Sequence, residues 1–385
     1  MLIYKLNISS EKSLAAEMEA ITCDPRGIKI MQEKLSRYTI KITDISGHLA
    51  LVIKETALSC GAECAMPRDI IINPKKNCDI LLLTQKNNLK LIINKLAKQA
   101  FKTLKTLSNQ LKSFLKEENI SIPVIMGILN TTPDSFSDGG NFNTKETALA
   151  HAKKMIKEGA RIIDIGGEST RPGSAEISIK EELKRTIPII KELRKNNKKI
   201  LISIETTKSL VAQKAAEAGA NIINDISGLT RDPKIAKIAA KYKTKLIIMH
   251  RTGNSKIMQQ KTEYADLIKD ILSFLQKSID IALEAGVKKE NIIIDPGIGF
   301  GKTTEQNLYI IKHLCAFKSL GYPVLLGASR KSVIGNILKN NPTERTAGTI
   351  ATSIMGQLNN ADYLRVHDVK ENINAVKIFK NLQNS

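Results

Sequence analysis

A TIM-type (β/α)8 barrel of the α/β class, preceded by a small N-terminal α+β domain, is the fold the sequence predicts. Three observations carry this prediction. After residue 122, short apolar runs alternate with amphipathic segments eight times. Gly, Asp, Asn, Arg and Ser gather just past the C-terminal end of nearly every run. The stretch 123–385 also has the length of eight such units.

The expected strands are 124–129, 161–165, 200–204, 221–224, 245–249, 291–294, 323–326 and 363–366, with crossover helices such as 145–158, 180–195 and 208–218. Apolar runs buried on both faces and joined by helices require a parallel sheet. The alternation alone also suits an open doubly wound sheet. The special residues favour the barrel, because a barrel brings all its strand ends to one mouth.

Residues 1–122 read as a separate domain, bounded by the polar stretch 116–121 and Pro123. Strand-like runs at 37–45 and 79–83 lie among helical ones at 12–20 and 49–59. Residues 86–118 read as one helix, with Leu89, Leu91, Ile92 and Leu96 at helical spacing. Residues 61–69 (GAECAMPRD) read as a loop.

Composition narrows the function. The net charge is +21, but residues 1–122 hold 19 basic and 12 acidic side chains and the remainder 40 and 26. The excess is spread evenly, without a basic arm, and aromatic content is 4% with no Trp, leaving few platforms for base stacking. This argues against nucleic acid and for a lysine-rich surface favouring anionic substrates. The five cysteines include no CxxC pair, so buried thiols are expected rather than a metal site. No apolar run is long enough for a membrane span, and the opening MLIYKLNISSEK lacks a secretory core, so no membrane role and a cytoplasmic location are expected.

Three patterns carry chemistry. Asp295-Pro-Gly-Ile-Gly-Phe-Gly-Lys302-Thr303 superficially suggests a nucleotide P-loop, but Gly297 and Gly301 enclose only three residues, one short of that motif. Gly166-Gly-Glu-Ser-Thr170-Arg171-Pro172-Gly173 offers close backbone approach, a hydroxyl and a guanidinium for phosphate oxygens; a plain loop with an exposed Arg is the alternative. Arg365-Val-His367-Asp368 places Arg and His at i, i+2, on one side of an extended segment, where they can grip one anion.

Together with Met126-Gly-Ile-Leu-Asn130-Thr-Thr-Pro-Asp-Ser-Phe-Ser-Asp138-Gly-Gly, Asn224-Asp-Ile, Met249-His250 and Ser329-Arg-Lys331-Ser, these motifs resemble, in order, those of dihydropteroate synthases over about residues 123–382. The resemblance implies a transferase of folate biosynthesis that joins 6-hydroxymethyl-7,8-dihydropterin pyrophosphate to 4-aminobenzoate and releases pyrophosphate. It implies pterin contacts from Glu205, Asn224, Met249, Asp295, Gly327 and Lys331, and an arylamine pocket from Pro172, Phe300 and Ser329. Pyrophosphate would meet Thr170, Arg171, Arg365 and His367, and Asn130 would help hold Mg²⁺. Lys331, Arg365, His367, Arg171 and Asp295 would be the catalytic set, stabilising the departing anion while residues 133–140 close over the site. Family barrels often pair through outer helices, which implies a homodimer.

The sequence departs from the family pattern in two places. Glu205 stands where the family usually has Asp, and one methylene moves the carboxylate by roughly 1.5 Å. Either the pterin shifts, the backbone retracts, or the contact is remade. Ser255 stands where a proline is common, suggesting a looser loop. An extension like residues 1–122 occurs in some longer members. The competing readings are a corrinoid-linked pterin methyltransferase, whose Asp-x-His-x-x-Gly motif does not appear, and a non-catalytic pterin-binding protein, which would not require pyrophosphate ligands.

Overall fold

The computed structural model describes residues 11–115, 121–131, 144–169, 174–253 and 262–384. The chain divides into two compact units, Met1–Asn119 with Asn381–Ser385, and Ile120–Lys380.

In the first unit, β1 (Arg37–Ser46), β2 (Glu63–Ala65) and β3 (Asn77–Gln85) form an antiparallel sheet in the order β1-β3-β2. Alternation along β3 buries Cys78, Ile80, Leu82 and Thr84 on one face, where Ile80 and Leu82 meet Ile53, Leu89, Ile92 and Leu96 from the helices. Part of the expected loop 61–69 is therefore strand: β2 pairs with β3 through Cys64 and Leu82.

The single helix expected over 86–118 is two helices, Lys86–Ala97 and Lys102–Leu111, followed by a 3-10 turn at Lys112–Leu115. An unbroken helix of that length would extend about 50 Å and could not bury its whole apolar stripe on so small a sheet. Folding back lets Leu104, Leu107 and Leu111 join the same core, and the buried Ser108 hydroxyl donates to the Ile93 carbonyl at 3.0 Å. Leu91, placed on that stripe by spacing, is instead exposed.

The second unit is the predicted barrel. Its strands are β4 (Val124–Asn130), β5 (Ile162–Gly166), β6 (Leu201–Glu205), β7 (Ile222–Asp225), β8 (Lys245–Met249), β9 (Ile292–Asp295), β10 (Leu325–Leu326) and β11 (Tyr363–Val366). They are parallel in the order β10-β11-β4-β5-β6-β7-β8-β9, and a bridge from Ile294 to Val324 joins β9 to the segment entering β10. The observed ends fall within one residue of those expected, except at β10. There Pro323 has no N–H to give, and the Val324 N–H goes to Asp362 Oδ2 at 2.6 Å instead of a neighbouring strand.

Side chains alternate between the outer helices and the barrel interior. Outward residues such as Ile163, Ile165, Ile202, Ile204, Ile248 and Ile294 pack on helices including Thr144–Glu158, Ile179–Asn196 and Leu267–Glu284. Inward, Met126, Ile162, Ile222, Ile247, Ile293 and Leu325 make an apolar floor. Two residues further along the same strands stand Ile128, Asp164, Asn224, Met249, Asp295 and Gly327. The interior thus changes from hydrocarbon to mixed polar chemistry within one step toward the mouth. Among the described residues, no helix is long and apolar enough to cross a membrane.

Candidate active site

The polar layer is organised around Arg365 of β11. Its Nε donates to Asp164 Oδ2 on β5 at 2.6 Å, and its Nη2 to Glu205 Oε2 at the end of β6. Asn224 Nδ2 on β7 donates to the same Asp164 oxygen at 3.1 Å. Burial alone disfavours the guanidinium charge, but Glu205 and Asp164 outweigh it and hold the Arg365 pKa above its ordinary value. Asp164 is fully buried, and its Oδ1, like the hydroxyl of its β6 neighbour Ser203, has no hydrogen-bond partner among the described residues.

Glu205 therefore spends its extra methylene on Arg365. Of the three alternatives left open by the sequence, the structure shows the carboxylate engaged in an ion pair across the mouth. Two carboxylates, Asp164 and Glu205, offset the charge of Arg365.

Asp295, at the end of β9, is buried, and its Oδ1 accepts the Gly297 N–H at 2.7 Å. Burial raises its pKa; that hydrogen bond and Lys331 act in the other direction. Gly327 leaves room beside it, since a Cβ there would lie 3.7 Å from Asp295 Oδ2. Lys331 follows β10 and lies over the Phe300 ring, 3.9 Å from its centroid. Burial, then Arg365, bring its pKa down to about 8. Phe300 packs with Met249 and Ile226 in a small apolar group at the mouth.

His367 and Ser329 meet at the end of β11. The His367 backbone N–H donates to Ser329 Oγ at 3.1 Å, and the same hydroxyl shares a hydrogen bond with Nδ1 at 2.9 Å. Burial, then Arg330 and Arg365, lower the His367 pKa to about 3. The imidazole beside Arg365 is thus neutral in the fold. Arg330 is held by Asp368, with Nε to Oδ2 at 3.1 Å, and Arg345 Nη1 donates to the Arg330 carbonyl at 3.0 Å.

Asn130 ends β4 at the rim, its Oδ1 facing Gly166 of β5. Thr170, Arg171 and Pro172 lie outside the described residues, as do residues 133–140 and Ser255. The stem before Thr170 is firmly held: Arg185 Nη1 donates to the Gly167 carbonyl at 3.0 Å, while Lys208 bridges Glu168 and the buried Glu182, the latter at 2.6 Å.

The structure thus brings Glu205, Asn224, Met249, Asp295, Gly327, Lys331, Arg365 and His367 to one mouth, with Phe300 and Ser329 at its side. Sequence reasoning missed Asp164. Its signal was there: a carboxylate inside Ile-Ile-Asp-Ile, a run buried on both faces, must point into the barrel.

Comparison with known proteins matches the family of pterin binding enzymes to residues 126–367, from β4 to His367. A dihydropteroate synthase of Clostridium beijerinckii is 54% identical over 255 residues, covering 66% of this chain and 92% of the relative. This chain belongs to the dihydropteroate synthase family. The dihydropteroate synthase of Bacillus subtilis is 50% identical over 64% of this chain and 84% of its own length. Among solved structures, the dihydropteroate synthase of Clostridium difficile, crystallised in the presence of pteroic acid, superposes with a TM-score of 0.65 at 46% identity over 70% of this chain and all of that one. That of Xanthomonas albilineans, with 4-aminobenzoic acid, gives 0.65 at 39% over 69% and 95%. As a dihydropteroate synthase family member, the chain is a transferase built on a pterin-binding barrel.

Proposed function

We propose that the barrel mouth condenses 6-hydroxymethyl-7,8-dihydropterin pyrophosphate with 4-aminobenzoate to give 7,8-dihydropteroate and pyrophosphate. The observation that carries this reading is the polar layer itself: a buried carboxylate (Asp295), a buried amide (Asn224) and Lys331 standing on an apolar floor. A flat heterocycle bearing amino and amide groups satisfies such a layer, whereas an apolar ligand would leave its polar atoms unpaired. The pteroic acid and 4-aminobenzoic acid named for the related structures support the same substrates.

In this reading Asp295 accepts from the pterin's amino and ring N–H groups, Asn224 and Glu205 read the adjoining edge, and Met249 packs on the ring. Gly327 keeps the space open. The reaction breaks the C–O bond between the exocyclic methylene and pyrophosphate and forms a C–N bond to the arylamine, which loses a proton. Arg365 and His367, with Thr170 and Arg171 as the family resemblance implies, would favour the charge that grows on the departing diphosphate. Lys331 lies between pterin and Phe300, while Phe300, Ser329 and Pro172 wall the arylamine pocket.

The donor set suits Mg²⁺ held chiefly by the substrate. Asn130 offers one neutral oxygen at the rim, and no cluster of three His, Cys, Asp or Glu occurs among the described residues. Bound there, Mg²⁺ would supply further neutralisation of the diphosphate. We also propose a homodimer, on the strength of the family resemblance alone.

The test is product formation. Purified protein given the pterin pyrophosphate, labelled 4-aminobenzoate and Mg²⁺ is expected to yield dihydropteroate, with Lys331→Ala slower by at least about 100-fold. No product above that variant's level overturns the assignment.

A further inference from the structure

Among the described residues of the second unit, Lys302 is the most deeply buried cation, at 3% exposure, and the proposed reaction does not use it. Its three N–H groups are all engaged. Nζ donates to the carbonyls of Gly297 at 2.9 Å and Phe300 at 3.0 Å, and to Nδ1 of His250 at 2.9 Å. None of these acceptors is a carboxylate. An ammonium has only donors, so Nδ1 must accept, and the ring is a neutral Nε2–H tautomer.

His250 is fixed in turn. It follows Met249 at the end of β8, is buried, sits edge-on to Phe274 with ring centroids 4.8 Å apart, and its backbone N–H donates to the Asp295 carbonyl at 2.9 Å. The loop after β9 presses on it closely: a Cβ at Gly297, φ +71°, would lie 1.9 Å from the His250 carbonyl oxygen. Tyr264 donates its hydroxyl to the Gly301 carbonyl at 2.9 Å and closes the other side.

We propose that Lys302 is a positioning residue: a pin joining the loops after β8 and β9 that holds Phe300, and with it the arylamine wall, at a fixed place beside the pterin site. This rests on the proposed substrates. The Gly297 and Phe300 carbonyls stand at the two ends of the turn that delivers the aromatic ring, so a single ammonium sets the curvature of that turn. The same ammonium ties the turn to the residue after Met249. Asp295, Asn224 and Lys331 stand at the ends of their strands or on another loop, so the pin governs the second substrate more than the first.

The charged and titratable groups facing the pin are Asp295, Lys331 and neutral His250. Burial brings the Lys302 pKa down to about 7; Asp295 opposes this and Lys331 adds to it. Above that pH the amine keeps two N–H groups for three acceptors, and the turn loosens.

The experiment measures the KM for 4-aminobenzoate, the affinity for the pterin pyrophosphate and the pH profile in Lys302→Met, His250→Leu and His250→Asn. Asn offers an oxygen near the Nδ1 position; Leu offers none. Loss of a hydrogen bond to a charged group predicts that Lys302→Met and His250→Leu raise the arylamine KM about tenfold, with pterin affinity changed less than about threefold. His250→Asn is expected to stay near wild type. The wild-type arylamine KM is expected to rise on passing alkaline of about 7, and this rise is absent from Lys302→Met.

A wild-type arylamine KM in Lys302→Met or His250→Leu, equal losses for both substrates, or His250→Asn as impaired as His250→Leu overturns the proposal. If Lys302→Met does not fold, the two His250 variants decide. If the wild-type protein itself makes no product, the proposed function fails instead. The pin is then read by amide exchange at residues 297–300, expected faster in His250→Leu than in His250→Asn; equal rates overturn it.

Discussion

The two inward layers of the barrel come from the same strands two residues apart, yet they obey different rules. The floor of Met126, Ile162, Ile222, Ile247, Ile293 and Leu325 contains no polar side-chain atom and is satisfied by packing alone. The layer above it holds Asp164, Asn224, Asp295 and Arg365, all needing partners, and Asp164 Oδ1 has none among the described residues. The floor stabilises the fold; the upper layer costs stability in exchange for a surface that can read a polar ligand. The difference teaches where function resides in such a barrel: at the step where hydrophobic alternation is broken on the inward side only.

Two perturbations should sharpen this contrast. The larger effect is expected from Ile293→Ala in the floor, which leaves a cavity and lowers unfolding free energy by about 2–5 kcal/mol. Denaturant titration checks it, and pterin affinity measured under folding conditions should stay near wild type. A smaller effect is expected from mild acid, to which the floor is blind. His250, its pKa lowered to about 2 by burial and Lys302, and His367, lowered to about 3 by burial and nearby arginines, remain neutral in the folded chain. The unfolded chain takes up both protons near pH 6.5, so it binds more protons between there and about 3. Stability should therefore fall as pH drops through 6.5, by about 1 kcal/mol per histidine per pH unit. Denaturant midpoints at pH 7 and 5.5 measure it in wild type and His367→Asn, since buried Asp295, whose pKa is raised, acts in the opposite direction; an equal fall in both proteins would contradict the contribution of His367.

The barrel was legible because each strand is a short apolar run bounded by glycine and polar residues, a local pattern that one sequence displays. The apolar floor and the sites at Asn224, Asp295 and Lys331 follow from strand register once the barrel is assumed. What local pattern does not show is pairing across the closed barrel. Arg365 and Asp164 lie 201 positions apart, and only closure sets guanidinium against carboxylate. The same holds for Glu205, whose departure from the usual Asp was visible while its use was not. The use of Lys302 was hidden for a related reason: spacing ruled out a phosphate loop, but only the folded loop shows the side chain turning inward to its own carbonyls. In the N-terminal unit the helical period ran on through residues 98–101 without a Gly or Pro to mark the fold-back.

The most direct test of the two-layer account is calorimetric titration of the pterin pyrophosphate into the wild-type protein and Asp295→Asn. The substitution keeps an oxygen to accept the Gly297 N–H, removes the charge and turns the other acceptor into a donor. Pterin affinity is expected to fall by about 10- to 100-fold, as for a hydrogen bond to a charged group, with the melting temperature little changed. Equal affinity in the two proteins would contradict the claim that the polar layer reads the pterin.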